Sequence, residues 1–140
     1  MSAFSDDLER KLLNSTLRGA AFIQPATIYV ALFTSNPTDA NVGTEVADSG
    51  YARQDAAQGE AIANGWSAPN AEGGGHACTN LKRIHFPPIA DAQVTVGWFG
   101  LYDAATGGNL LYHGAFTAPK TLEINDVVSV DAGGLKVILR

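Results

Sequence analysis

Apolar residues recur near the start of the chain at the spacing of one helical face: Phe4, Leu8, Leu12, Leu13 and Leu17. Ser5 can cap the start of such a helix, and Gly19 can end it in the left-handed conformation. Asp6 and Asp7 would lie at the positive end of the helix dipole, where carboxylates are favoured. We predict an amphipathic helix over residues 1–19. Its apolar face either packs on its own domain or docks on a neighbour, and the sequence leaves both interpretations open.

After residue 26 the pattern changes to short runs of β-branched and aromatic residues separated by turn-forming residues. The run Thr27–Thr34 is typical of a strand, and the turn residues at 35–37 close it. From there to residue 50 we predict a long polar loop, because Pro, Asp, Asn and Gly favour turns over strand pairing. A contact with another subunit is a common reason for such a long loop in a compact domain.

The middle of the chain has a weaker pattern, because Ala, Gln, Gly and Asn dilute any period between Tyr51 and Pro88. We predict two strands in this part, Arg53–Ile62 and Ala77–Phe86, with the glycines at 73–75 between them. The two prolines that follow end the second strand, since proline cannot donate a hydrogen bond to a strand ladder.

The last third of the chain predicts a β-hairpin and then further short strands. The hairpin strands are Gln93–Tyr102 and Asn109–Phe116, joined by a glycine-containing loop at 103–108. Asn125 and Asp126 suit a two-residue connection, because both tolerate positive φ. The three further strands are Lys120–Ile124, Val127–Val130 and Leu135–Leu139.

These elements together predict a mostly β fold, a β-sandwich or jelly roll of about eight short antiparallel strands with one N-terminal helix. We predict a single domain over residues 1–140, with the amphipathic helix at 1–19 and the β-sandwich at 26–140. Trp98 and Phe99 are adjacent in the most apolar strand, so they point to opposite faces. At least one of them therefore lies between two packed layers or at a subunit contact.

The composition favours a folded domain with protein contacts on its surface. Apolar residues make up 46% of the chain and charged residues 16%, which excludes the disordered class. Because soluble domains carry about 25% charged residues, part of this surface must be apolar or uncharged. The 15 glycines suit tight turns between short strands and argue against a helical bundle.

Charge and cysteine content exclude several further classes. The net charge is −5 with nine Lys and Arg residues, so we expect no nucleic-acid partner, which would need clustered positive charge. The densest basic cluster, Lys82, Arg83 and His85, fits the solvated face of a strand. Cys78 is the only cysteine and cannot form an internal disulfide. No apolar run approaches the roughly 18 residues of a membrane span, and without a secretory leader we expect a cytoplasmic site of synthesis.

No group of residues predicts a catalytic, cofactor or metal site. The glycines at 73–75 lack the Gly-Lys-Ser/Thr ending of a phosphate-binding loop, so we interpret them as a flexible loop. His76 and Cys78 would share one face of a strand and His85 the other, so they do not converge on a metal. No Gly-x-Ser-x-Gly elbow or paired nucleophile and base is recognisable. We therefore predict that the protein is not an enzyme and uses no cofactor.

The acidic and aromatic residues have structural interpretations as well. The stretch from Asp39 to Gly43 contains only a fragment of a calcium-binding loop. Acidic residues at predicted turns can accept hydrogen bonds from nearby backbone: Asp39, Asp48, Asp91, Asp103, Asp126 and Asp131. Strand aromatics belong to a core or interface more often than to a carbohydrate platform: Trp66, Trp98, Tyr29, Tyr51, Tyr102 and Tyr112.

Four stretches of the sequence together resemble a known family: Thr27-Ile-Tyr-Val-Ala-Leu-Phe-Thr-Ser-Asn-Pro37, Gly50-Tyr-Ala-Arg53, Ile84-His-Phe-Pro87 and Gly100-Leu-Tyr-Asp-Ala-Ala-Thr-Gly-Gly-Asn-Leu-Leu111. Nearly the whole chain resembles small structural proteins of tailed bacteriophages. Members of that family are labelled tail-fibre-like, and they are also similar to small capsid decoration, or cement, proteins with a jelly-roll fold. The resemblance implies no catalytic residues.

The resemblance implies a virion protein, and our leading hypothesis is a capsid decoration protein that stabilises the head shell through protein contacts. Its partners would be the major capsid protein or other virion proteins, and it would form a dimer or trimer on the outer surface of the particle after synthesis in the host cytoplasm. The alternative is a tail or tail-fibre component, which could bind host-surface glycans. A glycan-binding protein and a hydrolase of the host wall are further hypotheses, which sugar-dependent fluorescence and substrate turnover would distinguish.

Overall fold

The computed structural model describes residues 2–140, which form mostly antiparallel β-structure with one α-helix. The predicted mostly β fold with a helix near the N-terminus is confirmed. Within this range no helix has both the length and the apolar character needed to cross a membrane. The elements are β1 (Ser2–Phe4), α1 (Asp6–Arg18), β2 (Tyr29–Phe33), β3 (Gln54–Asp55), a 3-10 turn (Ile62–Asn64), β4 (Asn70–Glu72), β5 (Gly75–Thr79), β6 (Ile84–His85), β7 (Val94–Tyr102), β8 (Leu110–Leu122), β9 (Ser129–Val130) and β10 (Lys136–Leu139).

Helix α1 has the two ends that its sequence predicts. The Ser5 hydroxyl accepts a hydrogen bond from the backbone N–H of Leu8 at 3.2 Å, and Gly19 takes the left-handed conformation with φ 70°. The predicted range of 1–19 is nevertheless too long at its start. Residues 2–4 form strand β1 instead, because they pair with β8 at the edge of the main sheet.

The main sheet has five strands in the order β1-β8-β7-β2-β3. Its centre is the predicted hairpin of β7 and β8, which pair from Val94 with Leu122 to Tyr102 with Leu110. The pairing is irregular between Val96 and Trp98. This irregularity lets β8 continue past Pro119, a residue that an uninterrupted central ladder would exclude.

Two smaller sheets, β10-β5-β4 and β6-β9, complete the fold. The main core draws apolar side chains from all three sheets, and its buried members include Leu32 and Phe99 of the main sheet, Val137 of β10 and Ile84 of β6. Removal of these side chains from water is the dominant favourable contribution to folding.

The main sheet is also covered on its second face. Phe99 belongs to the main core, whereas Trp98 packs with Phe33 and Tyr102 in a separate cluster on the other side. The rings of Phe33 and Tyr102 stack with centroids 6.3 Å apart. The prediction that Trp98 and Phe99 point to opposite faces is confirmed.

The predicted strand Arg53–Ile62 is wrong beyond its first residues. Only Gln54 and Asp55 are in a strand, because the Asp55 carboxylate accepts hydrogen bonds from the backbone N–H groups of Ala57 and Gly59. These bonds form a turn that competes with strand pairing. Residues 62–64 then form the short 3-10 turn.

The predicted strand Ala77–Phe86 is two strands in different sheets, β5 and β6. Asn80 separates them. Its buried side-chain amide donates to the carbonyls of Lys82 and Asp131 and accepts from the backbone N–H of Leu135. Because these bonds satisfy backbone groups that a ladder would otherwise pair, the chain turns away after Thr79.

The two short strands predicted on either side of Asn125 are also corrected. The first is the end of β8, which stays paired with β7 as far as Leu122. The second is reduced to β9, which pairs with β6 and not with β8. Asn125 does take a positive φ of 73°, as its place in a tight turn predicts. The last predicted strand, Leu135–Leu139, is confirmed as β10 from Lys136.

Candidate assembly surface

The long loop over residues 35–49 is fastened to the body of the protein by Arg53. The Arg53 side chain is 8% exposed, and its Nε and Nη2 atoms each donate to the Glu45 carboxylate at 2.8 Å. Its Nη1 atom donates to the carbonyls of Ala104 and Gly107 at 3.0 and 2.8 Å. One buried guanidinium therefore joins the long loop to the 103–108 hairpin loop.

Two tyrosines complete the cluster around Arg53. We call Glu45, Tyr51, Arg53 and Tyr102 together the loop clamp. The Arg53 guanidinium lies 3.6 Å from the centroid of the Tyr102 ring, a cation–π contact. The Tyr51 hydroxyl donates to Glu45 at 2.7 Å and accepts from the backbone N–H of Leu32 at 3.0 Å. The clamp thus ties both loops to strand β2.

The loop clamp keeps its charges over a wide pH range. Burial acts to raise the pKa of Glu45, but the hydrogen bonds from Arg53 and Tyr51 outweigh it and hold that pKa below its ordinary value. Burial and the neighbouring Glu45 carboxylate raise the pKa of Tyr51. For Arg53, burial acts to lower the pKa, but the Glu45 carboxylate outweighs it and raises the pKa further. The cluster is therefore carboxylate, guanidinium and neutral phenol.

The far end of the long loop is fastened by Asp48. Its carboxylate accepts hydrogen bonds from the backbone N–H groups of Asp91, Ala90 and Gly50, and the first two of these are the main cause of its lowered pKa. In return, Asp91 accepts hydrogen bonds from both the backbone and the hydroxyl of Ser49. The predicted long polar loop is confirmed, and it is ordered at both ends.

The middle of the long loop contacts the main sheet and the start of helix α1. The Asp39 carboxylate lies 2.8 Å from Nε2 of the buried His113, and its carbonyl accepts from the backbone N–H of Asp6 at 2.9 Å. The Asn41 side chain accepts from the Tyr102 hydroxyl at 2.7 Å. A cleft of about 390 Å³ lies where helix α1, the long loop and the hairpin loop meet. These three segments therefore share one end of the molecule.

The second half of helix α1 leaves its apolar side chains in solvent. Leu8 is buried in the domain, but Leu13 and Leu17 are 58% and 78% exposed. In the segment that follows, Phe22 and Ile23 are 38% and 89% exposed. We call these four exposed residues the terminal apolar surface. The helix thus packs on its own domain at its start and presents an uncovered apolar surface at its end.

A cavity of about 210 Å³ opens between the main sheet and the β10-β5-β4 sheet. We call it the inter-sheet cavity. Pro69 and His76 are exposed at its rim, whereas Leu101 and Val137 are buried in it. The buried indole N–H of Trp66, another lining residue, has no hydrogen-bond partner. The lining contains no Asp, Glu, Lys or Arg residue: Ile28, Trp66, Pro69, His76, Cys78, Leu101, Tyr112, Val137 and Leu139.

The three soft ligands considered for a metal lie in two separate places. His76 and Cys78 are on β5 and both line the inter-sheet cavity. His85 is exposed on β6, in a different sheet. The three do not converge. The reason is that the predicted strand is divided between two sheets, and not that the residues point to opposite faces of one strand. Across residues 2–140, no group of three or more His, Cys, Asp and Glu side chains could hold a metal ion.

The glycine run at 73–75 forms a tight turn, where the sequence was interpreted as a flexible loop. Gly73 and Gly74 have φ angles of 56° and 81° and connect the paired strands β4 and β5, as in a type I′ hairpin. A Cβ atom on Gly75 would lie 1.9 Å from the carbonyl oxygen of Leu139. The run is therefore required by hairpin geometry and by the close approach of β10.

Several turn residues make the side-chain bonds that the sequence predicts. Asp103 accepts from the backbone N–H of Asn109, and Asp126 accepts from that of Glu123. Burial acts to raise the pKa of Asp103, but the bonds from Asn109 outweigh it and the pKa is lowered. Asp39 and Asn41, which suggested a fragment of a calcium loop, are instead bonded to His113 and Tyr102.

The basic cluster and the aromatic residues are largely engaged within the fold. Lys82 forms an ion pair with Glu60 at 2.7 Å, and Arg83 with Asp131 at 3.1 Å.

The two tryptophans and four tyrosines all lie within residues 2–140, and each is buried or half-buried. The aromatic residues therefore do not form an exposed platform for sugar rings.

Comparison with known proteins identifies one family. A search of curated proteins found no match. The family model described as podophage GP4 fiber I protein gp80 matches residues 3–138, from β1 into β10. This match supports the resemblance to phage structural proteins, and it favours the fibre alternative over the capsid-cement hypothesis. The chain belongs to the podophage GP4 fiber I protein gp80 family, and this membership supports a phage structural, fibre-like protein.

Proposed function

We propose that this protein is a non-enzymatic component of a phage tail fibre, exposed on the outer surface of the virion. The observation that carries the proposal is the family match over residues 3–138. Capsid cement, our leading hypothesis from the sequence, becomes the second candidate. The low charge, which favours protein contacts on the surface, suits a subunit in a fibre as well as a capsid cement protein.

The structure offers one end of the molecule as the region for contacts with other virion proteins. Helix α1, the long loop and the 103–108 hairpin loop meet there, and the loop clamp holds the two loops in fixed positions. A surface whose backbone is already ordered loses less conformational entropy when it binds. This end is therefore suited to a lasting contact between proteins.

The absence of enzymatic activity is part of the proposal and has two supports. Two pairs at this end that could take part in acid–base chemistry, His113–Asp39 and Arg53–Glu45, are bonded to each other within the fold. The inter-sheet cavity, in turn, has an almost wholly apolar lining. We further propose that the protein binds other virion proteins and further copies of this chain, and that it binds neither nucleic acid nor membrane. We also propose that it is synthesised in the host cytoplasm.

Separation of heads and tails from dissociated virions tests the fibre proposal. We expect an antibody against this protein to detect it in the tail fraction and not in DNA-filled heads. An antibody against the major capsid protein provides the matched control, since its signal must follow the heads. Recovery of this protein with the heads would contradict the fibre proposal and restore capsid cement.

A further inference from the structure

We propose that two copies of this chain associate by seating Ile23 of one copy in the inter-sheet cavity of the other. The proposal goes beyond the fibre assignment and does not depend on where the protein lies in the particle. It joins two features that remain unsatisfied within a single copy, the terminal apolar surface and the inter-sheet cavity.

The donor is the segment that follows helix α1. Ile23 is 89% exposed, and residues 19–26 contain no charged side chain. Within the described part of the chain, the backbone from Phe22 to Gln24 makes no hydrogen bond. This segment therefore offers an exposed apolar side chain on an uncharged stretch, and burial of that side chain is favourable.

The acceptor is the inter-sheet cavity, whose size and lining suit an aliphatic side chain. Its volume is about 210 Å³, its lining is almost entirely apolar, and its rim at Pro69 and His76 is exposed. Ile23 of the incoming segment fills this apolar space.

The occupant is a second copy because this chain carries both complementary parts. Ile23 stays exposed in its own copy, so the copy's own segment does not fill its cavity. Donor and acceptor both lack charged residues, so their contact leaves no buried charge unpaired. An apolar protrusion that fits a pocket elsewhere on the same chain links one copy to the next. Reciprocal exchange closes a dimer, whereas one-way insertion closes a ring such as a trimer only where the rotation between copies returns to the first copy.

Directed disulfide formation tests the seating, because Cys78 lines the cavity and is the only cysteine. Wild-type protein supplies the cavity thiol, and the double variant Ile23→Cys, Cys78→Ser supplies the segment thiol. After addition of an oxidant such as diamide, we expect the mixture to give a cross-linked dimer of unlike chains. Peptide mapping should assign the bond to positions 23 and 78.

The matched control places the second thiol on another exposed apolar residue. Val42 is 73% exposed on the long loop, so Val42→Cys, Cys78→Ser presents a similarly accessible thiol away from the donor segment. We expect little cross-linking of this control to wild-type Cys78. Equal yields from the control and the Ile23→Cys variant would show random collision and overturn the proposal.

The association itself is measured on unmodified chains by size-exclusion chromatography with light scattering. We expect the wild-type protein to form a dimer or trimer. Ile23→Asp should weaken association roughly 10- to 100-fold, because it removes one buried apolar side chain. The same variant should raise the rate at which N-ethylmaleimide labels Cys78. A wild-type monomer at all concentrations, or unchanged association of Ile23→Asp, would overturn the proposal while leaving the fibre assignment intact.

Discussion

At the scale of single residues, two buried polar side chains determine the path of the chain. Arg53 joins two loops and Asn80 ends a strand, and each makes several hydrogen bonds to groups far away in sequence. Removing one partner from such a network leaves a buried polar group unsatisfied, which costs about 1–3 kcal/mol. These two residues therefore contribute more to the shape of the protein than most surface residues.

The loop clamp makes stability depend on pH in acid. The pKa of Glu45 is lower in the folded protein than its ordinary value of 4.5, so the folded state favours the ionised carboxylate. The resulting stability is present above the ordinary pKa and is lost as the pH falls through the folded pKa. We expect the free energy of unfolding to fall below about pH 4, as measured by urea denaturation at a series of pH values.

Glu45→Gln is the control for this pH dependence, because it keeps the size of the side chain and removes its titration. The variant should be less stable than wild type at pH 7 and should lose less stability on acidification. Asp48 and Asp103 also have lowered pKa values, so part of the acid sensitivity should remain. Parallel curves for the two proteins would show that Glu45 does not contribute as described.

At the scale of secondary-structure elements, local signals predicted the structure well and distant partners did not. The ends of helix α1 followed from Ser5 and Gly19, because the capping bonds, from the Leu8 N–H to Ser5 and from the Gly19 N–H to the Asn14 carbonyl, span only a few residues. The strand predicted over Ala77–Phe86 failed because Asn80 bonds to Asp131 and Leu135, more than 50 residues away. No local pattern could reveal these partners.

Strand β7 provides a test of the two faces of the main sheet. Phe99 is 4% exposed in the main core, whereas Trp98 is half-buried on the second face. We expect Phe99→Ala to destabilise the protein by about 3–5 kcal/mol and Trp98→Ala to destabilise it less. Chemical denaturation measures both values. Leu81→Ala, at a residue 50% exposed, is the control and should change stability by less than about 0.5 kcal/mol.

The reverse order of these two variants would contradict the assignment of faces in strand β7. If Trp98→Ala is the more damaging change, the second face is a larger source of stability than its small cluster with Phe33 and Tyr102 indicates.

At the scale of the whole molecule, the sequence predicted the class of protein better than its site. A mostly β phage structural protein was expected and found, but the ranking of cement over fibre is not supported by the family match. The loop clamp and the inter-sheet cavity were not predicted. The cavity arises from incomplete packing between two sheets, which depends on positions that no single stretch of sequence specifies. Arg53 was named as part of the stretch Gly50-Tyr-Ala-Arg53, but its pairing with Glu45 was not predicted.

The most direct test of the fibre assignment is an electron cryo-microscopy reconstruction of the intact virion that includes its tail. The account predicts that density for this fold, recognisable by the long β7–β8 hairpin and helix α1, lies in a tail fibre. If the fold instead occupies repeated sites across the head shell, the fibre assignment is wrong and the chain is a capsid decoration protein.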